Sequence, residues 1–152
     1  MEDKIDDKFD VFIVGGLGHV GLPLGIAFAD KGLNVCLNDI SKEKAELVKK
    51  GIMPFIEYDA DPILKKVLEN GKLSVSLDID SVSQAKHVII AIGTPVDEYL
   101  NPKTRVFLEF FDGLKKHLNQ SQTIIIRSTV YPHTCRQILN LLGEGNWNVA
   151  YC

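Results

Sequence analysis

The 152-residue sequence has little cysteine, no long apolar run and no excess of positive charge. Its three cysteines, Cys36, Cys135 and Cys152, are widely spaced and form no C-x-x-C pair, which argues against a disulfide framework and against a zinc site. We therefore expect no metal. The apolar runs are far shorter than the roughly 20 residues that a membrane span needs, and the acidic start MEDKIDD is unlike a signal peptide. These absences favour a cytoplasmic protein without a membrane partner.

Charge and length narrow the class of protein further. The 17 Lys and Arg residues form no cluster and the net charge is −3, so we expect no nucleic-acid partner. With 45% hydrophobic and 24% charged residues, the composition is that of a globular protein, and the length suits one domain. We predict a charged leader over residues 1–8 and one domain over residues 9–152.

The strongest local pattern covers residues 10–25, where an apolar run, a glycine cluster and a second apolar stretch follow one another. The run VFIV, residues 11–14, has the length and the β-branched character of a strand that is buried on both faces. The second stretch predicts a helix over residues 19–31, which Gly32 ends. Strand, tight turn and helix in this order are typical of a dinucleotide-binding unit.

The glycines between strand and helix fit G-x-G-x-x-G at Gly16, Gly18 and Gly21. In this motif the first glycine allows the sharp turn, the second lets the backbone approach a pyrophosphate, and the third lets the helix pack on the strand. The helix presents free N–H groups and a positive dipole end to the pyrophosphate. The predicted cofactor contacts in this segment are Gly16, Leu17, Gly18, His19, Val20 and Gly21.

An acidic residue follows at the spacing of the motif, about 20 residues downstream. Asp39 ends a second predicted strand, residues 34–38. A carboxylate here accepts hydrogen bonds from the adenosine ribose hydroxyls and repels a 2′-phosphate, which favours NAD over NADP. The alternative is an ordinary turn aspartate or a cap for the next helix, although Ser41 suits the cap equally well.

The remaining sequence alternates between the two kinds of element. Strands are predicted over residues 73–77, 87–92 and 123–126 and from Trp147 onward, and helices over residues 41–50, 61–70, 106–118 and 132–142. Polar loops separate some of them, at residues 51–62 and 96–104. Six strands alternating with helices predict an α/β fold, a Rossmann-type doubly wound parallel sheet in three αβα layers.

Ligands of such sheets bind beyond the carboxyl ends of the strands. Besides the glycine turn and Asp39, two further segments follow predicted strands, and we expect all of them to meet in one crevice. These segments contribute Gly93, Thr94 and Pro95, and Ser128 and Thr129. Either threonine alone is equally compatible with a turn residue that caps local backbone.

These residues resemble the UDP-glucose/GDP-mannose dehydrogenase family, in its N-terminal NAD-binding domain. The resemblance spans nearly the whole chain and is carried by VGGLGHVGLPLGIAFADKG, NDI, PFIE, GTP and RSTVYPHT. The segments VDEYLNP and STVYP look closest to the branch that acts on UDP-N-acetylhexosamines. One position departs from the family pattern, since His133 stands where the family usually has glycine.

The resemblance implies that the parent enzyme oxidises the C6 hydroxymethyl group of a UDP-sugar to a carboxylate with two NAD molecules. It implies a homo-oligomer and a cysteine thioester intermediate, assisted by a lysine and an ordered water. We expect that cysteine and lysine, and the central and C-terminal substrate domains, beyond residue 152. This chain then binds NAD but does not catalyse alone. Its own thiols are poor candidates for that nucleophile, since Cys36 lies in the second strand, Cys135 in a predicted helix and Cys152 at the terminus. Only Cys135, beside Arg136 and near His133, has even a suggestion of the cationic neighbour that an active thiol needs.

The resemblance also implies roles for individual residues. It carries cofactor contacts over to Lys44, Thr94 and Thr129 besides the glycine turn and Asp39. It places Thr129 near the nicotinamide and the catalytic water, and Glu57 near the reacting sugar. These two residues are the candidate catalytic groups, and the alternative for Glu57 is an ordinary surface-loop carboxylate.

Two other classes of protein stay open at this point. Gly15, Gly18 and Gly21 also satisfy G-x-x-G-x-x-G, the turn of short-chain dehydrogenases and epimerases, and the segment from Tyr99 to Lys103 reads Y-x-x-x-K. That pair must lie on a helix, which Pro102 disfavours. The second alternative is a non-enzymatic NAD(H)-sensing regulatory domain, which has no use for the Thr-Pro and Ser-Thr-Val loops.

Overall fold

The structure is a computed structural model that describes residues 7–152. The predicted leader, residues 1–8, lies outside the described residues except for Asp7 and Lys8, which precede the first strand. The strands are β1 (Phe9–Val14), β2 (Val35–Asn38), β3 (Leu73–Ser76), β4 (Ala85–Ile90), β5 (Thr123–Ile126) and β6 (Asn148–Tyr151). The helices are α1 (Gly21–Asp30), α2 (Lys42–Lys49), α3 (Ala60–Glu69), α4 (Thr104–Leu114) and α5 (Thr134–Leu142).

All six strands are parallel and form one sheet in the order β3-β2-β1-β4-β5-β6. This is the Rossmann strand order, with the reversal between β1 and β4 that creates a crevice at the carboxyl ends of the strands. The predicted fold class is therefore confirmed.

Strand β1 shows why the sheet is covered on both faces. Successive side chains of a strand point to opposite faces. Val11 and Ile13 pack in a cluster with side chains of α1, α2 and α3, whereas Phe12 and Val14 pack in a second cluster with α4 and α5. The uninterrupted apolar run thus fills two cores and makes the three αβα layers.

Several element boundaries differ from the prediction. Helix α1 begins at Gly21 rather than at residue 19, and β4 ends at Ile90 rather than at residue 92. Helix α4 begins two residues early, at Thr104, and its predicted last turn is a separate 3-10 turn, Lys115–His117. These shifts leave the order of the elements unchanged.

The connection between β3 and β4, where the sequence predicts no helix, contains no α-helix. Only a 3-10 turn, Asp80–Gln84, connects these strands. The polar segment before it folds on itself, because the Ser76 hydroxyl accepts from the Asp78 N–H and the Asp78 carboxylate accepts from the Asp80 N–H, each at 3.0 Å. Within residues 7–152, no helix is long and apolar enough to cross a membrane.

Candidate functional site

The glycine turn occupies residues 15–20, between the end of β1 and the start of α1. Its left-handed residue is Gly15, with φ +76°. The sequence-based prediction gave the sharp turn to Gly16, whereas the positive φ lies one residue earlier. A Cβ atom on Gly15 would lie 2.7 Å from the carbonyl oxygen of Ala91, so the neighbouring strand end requires glycine here as much as the φ angle does.

The other three glycines serve different purposes. A Cβ atom on Gly16 would lie 2.9 Å from the Ile13 carbonyl oxygen, and one on Gly21 would lie 2.5 Å from the Gly15 carbonyl oxygen. Both positions therefore allow close backbone packing. A Cβ atom on Gly18 would meet only the Gly15 carbonyl oxygen, at an ordinary contact distance of 3.6 Å. The fold does not require glycine at position 18, so the space above it is available to a ligand.

Free backbone donors lie at this turn. Within the described chain, the N–H groups of His19, Val20 and Gly21 donate no hydrogen bond, and no side chain caps the helix at Val20. Helix α1 carries no acidic residue in its first turn. Unpaired N–H groups at a helix N-terminus attract an anion, and a pyrophosphate is the anion that this turn fits.

Asp39 joins the glycine turn to the start of α2. Its Oδ2 atom accepts from the Leu17 N–H and its Oδ1 atom accepts from the Ser41 N–H, both at 3.1 Å. Ser41 in turn caps α2, because its hydroxyl accepts from the Lys44 N–H at 3.3 Å. Each carboxylate oxygen keeps a further lone pair for a ligand hydroxyl. Asp39 therefore holds the turn in place without the cofactor.

A crevice of about 690 Å³ opens where β1, β2 and β4 end. One wall is formed by α4 and the turn after it, and the other by the short connection after β3. The Asp80 carboxylate and His117 Nδ1 atom, 3.1 Å apart, join the two walls. The lining is mostly apolar, and Ile40, 97% exposed, projects at its rim. It consists of Val14, Gly15, Asn38, Asp39, Ile40, Leu77, Asp78, Ile79, Ile92, Gly93, Phe110, Gly113, Leu114 and His117.

The loops after β4 and β5 are tied to each other. The Thr94 hydroxyl donates to the Thr129 carbonyl oxygen at 2.6 Å, and the Ser128 hydroxyl donates to the Ile92 carbonyl oxygen at 2.8 Å. Ser128 is buried, whereas Thr129 and Pro95 are exposed. The structure thus brings the two predicted threonines together, but outside the lining of the crevice that Gly93 and Asp39 share.

The other predicted site residues lie further apart. Lys44 is half-buried on the first turn of α2. Its N–H donates to the Ser41 hydroxyl, and the Ser41 N–H donates to Asp39. Glu57 is exposed and lines a second cavity of about 270 Å³ between α1 and α3, not the large crevice. Its loop nevertheless reaches the glycine turn, because Phe55 stacks on His19 with ring centroids 4.1 Å apart.

Neither Cys36 nor Cys135 is an activated nucleophile, and the third free thiol of the described chain, Cys152, is exposed. Burial raises the pKa of Cys36, and burial also raises the pKa of Cys135. Loss of hydration therefore disfavours the Cys135 thiolate, in agreement with the prediction that these thiols are poor nucleophiles. Within residues 7–152, no three or more His, Cys, Asp and Glu side chains cluster to hold a metal ion.

The short-chain dehydrogenase alternative loses its second motif. Tyr99 and Lys103 lie in a loop in which Leu100 is left-handed, with φ +64°, and Val96 pairs with Pro102. Because the tyrosine and the lysine do not share a helix, they do not form the catalytic pair of that class.

The walls of the crevice were absent from the sequence-based prediction. Phe110 and Leu114 belong to α4, which reads as an ordinary amphipathic element whose hydrophobic spacing predicts only a core face, and His117 belongs to the 3-10 turn that follows it. The opposite wall comes from residues 77–79, after β3, and the local sequence there carries no signal of a binding crevice.

Comparison with known proteins gives a consistent family. The model of the UDP-glucose/GDP-mannose dehydrogenase family, NAD binding domain, matches residues 10–151. UDP-glucose 6-dehydrogenase of Rickettsia felis is 32% identical over 138 residues, which are 89% of this chain and 31% of that protein. UDP-N-acetyl-D-mannosamine dehydrogenase of Pyrococcus horikoshii is 32% identical over 133 residues, which are 84% of this chain and 30% of that protein.

Solved structures agree with the sequence comparison. A UDP-D-ManNAc dehydrogenase structure from Pyrococcus horikoshii superposes with a TM-score of 0.81 at 30% identity, over 93% of this chain and 35% of that one. A GDP-mannose dehydrogenase ternary complex from Pseudomonas aeruginosa gives a TM-score of 0.78 at 22% identity, over 92% and 35%, and shows the fold alone. The chain spans about a third of the length of these relatives.

Proposed function

Because the chain belongs to the UDP-glucose/GDP-mannose dehydrogenase family, as its NAD-binding domain, we propose that it supplies the NAD site of a UDP-sugar 6-dehydrogenase. The observation that carries this proposal is the set of free N–H groups at residues 19–21, placed above a glycine whose Cβ position is open. The relatives named above support the sugar class, since two of them are a UDP-glucose and a UDP-N-acetyl-D-mannosamine dehydrogenase.

The proposed reaction oxidises a C6 hydroxymethyl group to a carboxylate in two steps of two electrons each. NAD at this site would supply the oxidising power, so that the hydroxymethyl group and one water would give the carboxylate, three protons and two NADH for each sugar. This chain contributes the binding and orientation of the cofactor. Hydride transfer needs reacting atoms held near contact, and such positioning lowers a barrier by roughly 7–11 kcal/mol.

We assign the cofactor contacts by the chemistry of each segment. The N–H groups of residues 19–21 hold the pyrophosphate, and the Asp39 carboxylate accepts from ribose hydroxyls through its remaining lone pairs. The apolar crevice between Ile40 and Phe110 takes the adenine ring. Lys44, next to Asp39, lies near the same ribose.

The sugar-facing roles are proposed for Thr129 and Glu57. Supporting Thr129 is its link to Thr94, which holds the loops after β4 and β5 together at the carboxyl ends of the strands. Supporting Glu57 is the contact of its loop with the glycine turn through Phe55. A homo-oligomeric larger enzyme, a cytoplasmic location and the single-domain division of the chain stay predictions.

The test is a calorimetric titration of NAD into the wild-type chain and into Gly18→Ala. We expect binding to the wild type and none to the variant, because the new methyl group would occupy the space of the pyrophosphate. Thermal unfolding should be nearly unchanged, since the methyl group meets only one protein atom, at 3.6 Å. A well-folded Gly18→Ala that keeps its NAD affinity would contradict the proposed site.

A further inference from the structure

The loop of residues 51–59, called here the PFIE loop, touches the glycine turn through one aromatic pair. The rings of His19 and Phe55 are stacked, with centroids 4.1 Å apart and planes inclined by 29°. His19 is also one of the residues whose backbone N–H is free to bind an anion. A single residue therefore takes part in the proposed pyrophosphate site and in a contact with the PFIE loop.

The first half of the PFIE loop is well anchored. Met53 is buried, 8% exposed, and its N–H donates to the Asp61 carboxylate at 3.3 Å. Phe55 is half-buried and packs against the core that α1 and α3 share. Up to Phe55, the loop has both apolar and hydrogen-bonding contacts with its surroundings.

The second half has few contacts of its own. Ile56 and Tyr58 are 89% and 90% exposed, and Glu57 between them is exposed as well. Within the described chain, the N–H groups of residues 55–58 donate no hydrogen bond. This segment is held by the Phe55 ring on one side and, on the other, by the Glu57 carbonyl oxygen, which accepts from the Ala60 N–H at 3.3 Å at the start of α3.

We propose that His19 and Phe55 are positioning residues that couple cofactor binding to the placement of Glu57. An anion bound to the His19 N–H restrains the backbone of that residue, and hence the ring on which Phe55 stacks. The restrained Phe55 then limits the conformations open to residues 56–58. This inference rests on the proposed function, since it requires NAD at the glycine turn.

The energetics suit a coupling of modest size. A ligand shifts a conformational equilibrium only by its differential affinity for the two states. The stack is a direct contact between the loop and the turn, so its strength sets the scale of the shift. We expect an effect of about two- to tenfold, the range that one aromatic pair supplies.

Hydrogen–deuterium exchange of the 152-residue chain, with and without saturating NAD, measures this coupling directly. In the wild type, NAD should slow exchange at residues 16–21 and, by about two- to tenfold, at Ala60. The Ala60 N–H donates to the Glu57 carbonyl oxygen at 3.3 Å and therefore reports how firmly Glu57 is held. In Phe55→Leu, which keeps an apolar side chain but removes the ring, residues 16–21 should stay protected while Ala60 loses the effect. His19→Tyr should preserve the effect, because it keeps a stacking ring.

Two controls separate positioning from general stability. Tyr58→Ala removes an exposed aromatic ring from the same loop and should leave the NAD effect at Ala60 unchanged. If Phe55→Leu proves poorly folded, His19→Ala removes the other ring of the stack, which is exposed. With NAD raised to saturation, this variant should lose the same protection.

The outcomes distinguish this inference from the proposed function. Protection by NAD at residues 16–21 without any at Ala60 in the wild type would overturn the coupling alone. Equal protection of Ala60 in the wild type and in both stack-removing variants would also overturn it. Absence of protection at residues 16–21 would contradict NAD binding at the turn, and the coupling with it.

Discussion

The Asp39 carboxylate accepts a hydrogen bond from the backbone N–H of Leu17, 3.1 Å away, across the gap between the ends of β2 and β1. Its other oxygen accepts from the Ser41 N–H at the same distance. The residue expected to read the ribose is therefore held by two backbone donors and holds the glycine turn in return. Recognition and preorganisation depend on the same side chain.

This double role predicts a stability cost for Asp39→Asn. The amide keeps one acceptor oxygen, so one of the two backbone N–H groups loses its partner, which costs about 1–3 kcal/mol of unfolding free energy. Urea denaturation measures the change. Glu43→Gln, which removes one negative charge from the exposed surface of α2, is the matched control and should change stability by less than about 0.5 kcal/mol. Equal stability of Asp39→Asn and the wild type would show that the Leu17 contact is dispensable.

The backbone at His133 predicts a second effect on stability. His133 is left-handed, with φ +71° and ψ −5°, directly before α5. This explains why glycine is usual at this position of the family, since a side chain in this conformation costs about 1–2 kcal/mol. Relief of this strain exceeds the entropy that glycine adds to the unfolded chain, so His133→Gly should raise the unfolding free energy by up to about 1 kcal/mol.

A β-branched residue at the same position supplies the opposite test. His133→Val should lower the unfolding free energy by about 1–2 kcal/mol, because valine tolerates a positive φ poorly. Wild-type urea midpoints for both variants would contradict a left-handed backbone conformation at residue 133.

The cysteines predict an order of chemical reactivity. Burial raises the pKa of both Cys36 and Cys135, so their thiolate fractions at pH 7 are below the ordinary value, and each fraction grows about tenfold per pH unit until the pH reaches the pKa. Iodoacetamide at pH 7 should therefore modify the exposed Cys152 first, Cys135 more slowly and Cys36 last. Mass spectrometry of timed samples gives the three rates.

The same thiols bear on catalysis by this chain. With NAD and a panel of UDP- and GDP-sugars, we expect no steady production of NADH, because neither Cys36 nor Cys135 is activated for a thioester. Turnover that disappears in Cys135→Ala, together with a Cys135 that reacts faster than Cys152, would assign the nucleophile to α5 and contradict this expectation.

Local sequence patterns predicted those elements whose structure is determined by a few neighbouring residues. The VFIV run, the glycine spacing and Asp39 predicted β1, the turn and the end of β2, because burial, turn geometry and the strand-end carboxylate each leave a signal within a few residues. The left-handed Gly15 was missed because its requirement comes from Ala91, on a strand distant in sequence.

The crevice shows the limit of sequence patterns more clearly. Its apolar wall comes from Phe110 and Leu114, whose spacing is that of any core-facing helix. That they face an open groove depends on how α4 packs beside the strand ends and the segment after β3, a property of the packed sheet and not of either segment. Glu57 likewise lines a different cavity from the one that Asp39 lines. Only the path of the PFIE loop determines which cavity Glu57 reaches.

The most direct test of the account is the calorimetric affinity of the 152-residue chain for NAD and for NADP, measured in the same buffer at low salt. A 2′-phosphate about 4 Å from the Asp39 carboxylate costs on the order of 1–4 kcal/mol in a partly solvated crevice, so NAD should bind at least about fivefold more tightly. Equal affinity for the two cofactors, or binding of neither, would contradict the claim that the glycine turn and Asp39 form an NAD site.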